Sequence, residues 1–159
     1  MNYLENLWNA LDFSSLRETL LRVAAVLLCL VLHETCHGIA AYCLGDPTAK
    51  REHRLSLNPL RHIDWVGLLA MVLTGVGWAK PVPVNPNYFK HPKRGMAITA
   101  LAGPVSNLLL ALVLLFGAKL LYVRALATGE FSQLWFSFLL NTAMLSIGLG
   151  VFNLIPIPP

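Results

Sequence analysis

Three residues in the first quarter of the chain have types and spacing suited to hydrolysis. They are His33, Glu34 and His37, in the run His33-Glu34-Thr35-Cys36-His37-Gly38. On a helix of 3.6 residues per turn, positions i and i+4 share a face, so the two imidazoles point the same way. Two imidazoles so placed can hold one zinc ion. A carboxylate one residue along can reach a water on that ion and take its proton. The surroundings are unusual for such a cluster: Val23–Gly45 is otherwise apolar or small, and it contains no Asp, Lys or Arg. A charge at the centre of a membrane helix costs about 2.5–3.5 kcal/mol on insertion scales, so ionisable groups kept there are expected to have a use.

The elements that must position these groups follow from composition. Of the 159 residues, 56% are hydrophobic and only 13% charged, and the mean hydropathy is +0.61. An ordinary soluble domain has about a quarter of its residues charged, so the chain reads as an all-α, multi-pass membrane protein. The net charge of +4 comes with no basic stripe of interleaved aromatics, so nucleic acid is not an expected partner. Cys29, Cys36 and Cys43 are seven apart; on a helix neighbours at that spacing lie about 10 Å apart, too far for a disulfide.

Three core spans are expected, at about residues 16–44, 96–120 and 132–156. Residues 1–15 form an arm whose Leu4, Leu7, Trp8 and Leu11 fall at helical spacing, as in an interfacial helix. Gly45-Asp46-Pro47 stops the first span. Between the first and second spans, region 45–95 is expected to hold short β-hairpins and a re-entrant segment. Arg54–Asn58 alternates like a strand. Trp65–Ala79 is uncharged, but as a helix it covers only about 22 Å against a core of about 30 Å. Pro81, Pro83 and Pro86 then favour extended backbone.

Charge sets the orientation. Loops 46–64 and 80–95 hold four Lys or Arg each, whereas 119–130 holds two and residues 1–22 hold two, Arg17 and Arg22. Both strongly basic loops are therefore expected on the cytoplasmic side, with the histidine cluster and Asn153–Pro159 near that same face.

These residues together resemble the site-2 proteases, zinc metalloproteases that cut within membranes. Five segments carry the resemblance in the family's order. They are His33-Glu34-x-x-His37-Gly38; Ser56-Leu57-Asn58-Pro59-x-x-His62-Ile63-Asp64; Trp78 through Pro86, like the family's proline-rich membrane-facing hairpin; Ala102-Gly103-Pro104-Val105-Ser106-Asn107; and Asn153 through Pro159. The match covers residues 20–159, all of the expected membrane core.

The resemblance implies a metalloendopeptidase with one Zn²⁺ per chain, held by His33 and His37, with Glu34 as the catalytic base. The implied setting is a bacterial inner membrane, and the implied substrate is a membrane-anchored protein cut in or near its transmembrane segment. In the family, Leu-Asp-Gly follows the paired prolines and its Asp is the third zinc ligand. The corresponding residue is expected beyond Pro159. His53, His62, Asp64 and His91 are other residue types able to ligate, all in loops. Asn107 is expected either to donate to the substrate or the developing oxyanion, or to bond a neighbouring helix. Val82 and Val84, on the proline-rich segment, are candidates for docking an unwound substrate as an added strand.

Two other function classes also use intramembrane His and Glu: an inactive relative that binds client helices, and a metal or proton transporter. Intact Glu34 argues against the first. Confinement of the cluster to one helix near one face, with no second acidic cluster in a span, argues against the second.

Overall fold

A computed structural model of the chain describes residues 13–74 and 80–155. It is mostly helical: α1 (Phe13–Cys43), α2 (Thr48–Arg51), α3 (Trp65–Thr74), α4 (Pro92–Thr128) and α5 (Gln133–Leu154), with 3₁₀ turns at Pro59–Arg61 and Pro86–Tyr88. Leu16–Cys43, Pro92–Thr128 and Gln133–Leu154 are long and apolar enough to cross a membrane. The expected spans fall within these helices or within a few residues of their ends. The arm at 1–15, residues 75–79 of the expected re-entrant segment, and Pro156–Pro159 lie wholly or largely outside the described residues.

Local chemistry sets the helix ends. At the end of α1, the Asp46 N–H donates to the Ala41 carbonyl (2.9 Å) and the Gly45 N–H to the Tyr42 carbonyl (3.1 Å). This double closure needs a left-handed residue, and Gly45 supplies it with φ +104°. Pro47 then prevents continuation. Pro92 opens α4, where its missing N–H loses nothing, and left-handed Gly129 (φ 73°) closes it by donating to the Ala125 carbonyl.

α4 runs antiparallel to both α1 and α5, and the contacts between the three are small or polar. Ala111, Leu114 and Ala143 make the apolar contact of α4 with α5. Ser146 Oγ donates to the Asn107 carbonyl (2.8 Å), and the Gly150 Cα lies close to the Pro104 carbonyl. Asn107, Thr142 and Ser146 are fully buried, while Leu112, Val113 and Phe116 are 60–67% exposed. Large apolar side chains outside and small or polar ones inside is the arrangement expected when lipid is the solvent.

The β-hairpins expected between the first two spans do not form: among the described residues there is no β-strand. Pro81, Pro83 and Pro86 cannot donate to a ladder. The remaining groups of this extended stretch find other partners. The Lys80 N–H donates to the His62 carbonyl (2.9 Å), and the Asn85 N–H to Asp46 Oδ2 (2.7 Å). The buried Arg54 donates to the carbonyls of Lys80 (2.7 Å) and Pro81 (3.0 Å). Arg54–Asn58 is likewise irregular, and the Ser56 carbonyl accepts from Thr35 Oγ1 (3.1 Å) and His62 Nε2 (2.7 Å). Helix α3 spans 10 residues, about 15 Å, which is too short to cross a bilayer.

Asp46 is the fastener of this region. It is fully buried and also accepts from the Thr48 N–H (2.9 Å) and the Thr48 hydroxyl. Burial alone would raise its pKa. The Thr48 hydroxyl, the Asn85 and Thr48 N–H groups and the Arg51 charge outweigh it and hold the carboxyl below its ordinary value. A carboxylate held low stabilises the fold above its ordinary pKa of about 3.9, and that contribution is lost as pH falls through the lowered value. Asp46→Ala should therefore cost roughly 1–3 kcal/mol for each donor left unpaired, and residues 80–91 should become protease-sensitive. Thermal melting in detergent and limited proteolysis measure this; wild-type behaviour in both would contradict the role.

Candidate metal centre

The histidine pair sits in the second half of α1, in a helix that stays regular because its run from Val23 to Cys43 contains no Gly or Pro except Gly38. His33 is 5% exposed. The two side chains converge: His33 Nε2 lies 3.0 Å from His37 Nε2. Two nitrogens on one tetrahedral zinc, each at about 2.0–2.1 Å, stand roughly 3.3 Å apart, so the pair fits a shared metal with little adjustment.

α4 fixes both rings from behind. The Nδ1 of His37 is 2.6 Å from the Thr99 carbonyl, a bond that puts the proton on Nδ1 and leaves Nε2 unprotonated. The Nδ1 of His33 is 3.2 Å from the amide nitrogen of the fully buried Asn107. Thr99, Gly103 and Asn107 are spaced four apart and share one face of α4. Gly103 is what permits the approach. A Cβ there would clash with His37 Nε2, and would come within 2.6 Å of His37 Cε1 and 2.7 Å of His33 Cε1.

Glu34 is half-buried, and its Oε2 accepts from the Val82 N–H (3.0 Å). The extended segment therefore lies directly against the candidate base. Val82 itself is buried, and its Cγ1 closes on Gly38 of α1. Val84 is half-buried on the same stretch.

His33, His37, Glu34, Asn107 and Val82 are thus gathered at one site. Among the described residues, no group of three His, Cys, Asp or Glu able to hold a metal is present. The other residues weighed as ligands have different surroundings. His62 is buried and bonds the Ser56 carbonyl. Asp64 caps α3 by accepting from the Val66 and Gly67 N–H groups (2.9 Å each). His53 and His91 are exposed. Asn153 donates to the Leu149 carbonyl of its own helix (2.8 Å). The sequence reading passed over Asp46, Arg54 and Thr99. Thr99 works through its carbonyl, which no residue type reveals.

The fold and this centre define a helical membrane protein with a histidine pair and a carboxylate inside a spanning segment. Comparison with known proteins agrees. The chain is 38% identical over 145 residues to "Putative zinc metalloprotease YwhC" of Bacillus subtilis (strain 168), an alignment covering 86% of this chain and 63% of that relative. It is 31% identical over 144 residues to "Putative zinc metalloprotease Rip2" of Mycolicibacterium smegmatis, covering 87% of this chain and 53% of the relative. A Rip2 of Mycobacterium tuberculosis (strain Erdman) is 30% identical over 141 residues, with 86% and 52% covered. The chain thus spans between half and two thirds of the length of these relatives. No family model and no solved structure matches it. Over most of its own length the chain is thus similar to bacterial proteins named as zinc metalloproteases.

The close approach of α4 gives a direct test. Gly103→Ala should weaken zinc binding by at least about tenfold, because ligand geometry tolerates little displacement, while helical content by circular dichroism stays at the wild-type level. Wild-type affinity in this variant would show that the rings do not form the site as described.

Proposed function

We propose that this chain carries the catalytic core of an intramembrane zinc metalloprotease that hydrolyses a peptide bond of a membrane-anchored substrate. The observation that carries the proposal is the convergence of two histidine Nε2 atoms, 3.0 Å apart, beside a carboxylate within a helix long and apolar enough to cross a membrane.

His33 and His37 would hold the metal. The family resemblance implies a third protein ligand, an Asp that follows the paired prolines in that family. When bound, zinc supplies Lewis acidity for a water and for the scissile carbonyl. Glu34 takes a proton from the attacking water and returns it to the leaving nitrogen as the C–N bond breaks. The Val82 N–H holds one carboxylate oxygen of Glu34 and so orients the other.

A helical substrate hides its carbonyls in its own hydrogen bonds, so the scissile bond has to be presented extended. The stretch around Val82 and Val84 is neither helix nor strand and lies beside Glu34, which supports its use as a docking surface. Both basic loops emerge at the end of the bundle nearest the histidines. This supports a cytoplasmic-facing site in a bacterial cell membrane.

In liposomes holding the intact protein and a transmembrane substrate, Glu34→Gln should reduce cleavage by about 10²–10⁴-fold with zinc content unchanged. Retained cleavage would remove the protease reading. Val82→Ala with Val84→Ala keeps both N–H groups and should slow cleavage without loss of zinc; an unchanged rate would remove the docking role.

A further inference from the structure

Asn107 is fully buried, yet it has an unsatisfied atom. Its amide nitrogen faces His33 Nδ1 at 3.2 Å, while its Oδ1 is buried with no hydrogen-bond partner among the described residues. The two ends of this amide offer His33 different things: the NH₂ donates and Oδ1 accepts.

The proton positions decide which end metal binding requires. With the Asn107 NH₂ donating, His33 Nδ1 is an acceptor and the ring proton sits on Nε2. That N–H donates to His37 Nε2 at 3.0 Å, and His37 Nδ1–H donates to the Thr99 carbonyl at 2.6 Å. The chain of bonds is internally consistent, but it ties up the Nε2 lone pair of His37 and protonates the Nε2 of His33. Neither nitrogen can ligate a metal in that state. Ligation by both requires the other His33 tautomer, with the proton on Nδ1, and that N–H needs an acceptor. A half-turn of the Asn107 amide places Oδ1 where the NH₂ now stands.

We propose that Asn107 is a positioning residue that turns its amide over to accept the Nδ1–H of His33 on Oδ1, fixing the tautomer that frees both histidine Nε2 atoms for the metal. This rests on the metal-centre reading above. The proton count on His33 does not change: one N–H bond is lost at Nε2 and one is gained at Nδ1. Asn107 is well placed for this because its backbone is pinned. Its carbonyl accepts from Ser146 of α5 at 2.8 Å, so α5 holds in place the residue that sets a ligand on α1. A direct substrate contact by the same amide nitrogen would need it released from His33.

The test uses zinc alone as the probe, on the intact protein in detergent micelles, by competition with a chromophoric chelator. Asn107→Leu has the right size and no acceptor, and should weaken zinc binding about 10–100-fold. Asn107→Asp keeps an acceptor at the same place and should stay within about threefold of wild type. Histidine ¹⁵N spectra of the zinc-loaded wild type should show His33 protonated at Nδ1. Wild-type affinity in Asn107→Leu, equal weakening in both variants, or His33 protonated at Nε2 in the loaded protein would each overturn the proposal. A wild-type protein that takes up no zinc would overturn the metal-centre reading, and this inference with it.

Discussion

Everything in this molecule depends on holding two imidazoles in a converging pair inside an apolar bundle. A ring in lipid has two nitrogens to satisfy, and only one can face a metal. The other needs a partner from the protein. α1 cannot supply that partner, because its own carbonyls are used in the helix. α4 supplies it from one face: the Thr99 carbonyl for His37 and the Asn107 amide for His33. Between them, Gly103 keeps the face flat enough for the rings to lie against it. The order of Thr99, Gly103 and Asn107 along α4 is thus the complement of His37 and His33 along α1, read in the antiparallel sense.

The second dependence is on the stretch from Lys80 to Pro86. Its three prolines cannot donate to a ladder, and several of its other backbone groups are taken by side chains from elsewhere. Arg54 holds two of its carbonyls, Asp46 holds the Asn85 N–H, and Glu34 takes the Val82 N–H. Buried Asp46 and Arg54 are costly groups unless bonded; Arg54 bonds this segment, and Asp46 bonds both it and Thr48. The segment is thereby held beside Glu34 without a neighbouring strand among the described residues.

Much of this was legible in the sequence, for identifiable reasons. Long uncharged runs, together with Gly45-Asp46-Pro47, marked the spans, because lipid-facing helices need apolar side chains and their ends need breakers. The i, i+4 histidines on α1 announced the centre. The hairpins were misread because alternation and prolines describe extended backbone without saying what satisfies it. Asp46 looked like a helix stop and is also a fastener, a fact that depends on Asn85 arriving from 39 positions away. Asn107 was recognisable as polar in a span, but its partner His33 lies 74 positions distant, and no local pattern encodes that pairing.

The most direct measurement is the zinc K-edge X-ray absorption spectrum of the intact protein in membranes. Two imidazole nitrogens at about 2.0–2.1 Å with oxygen donors completing the shell are expected, with the imidazole contribution lost in His33→Ala and His37→Ala. A sulfur shell near 2.3 Å, or an imidazole contribution untouched by those substitutions, would contradict a centre built on His33 and His37.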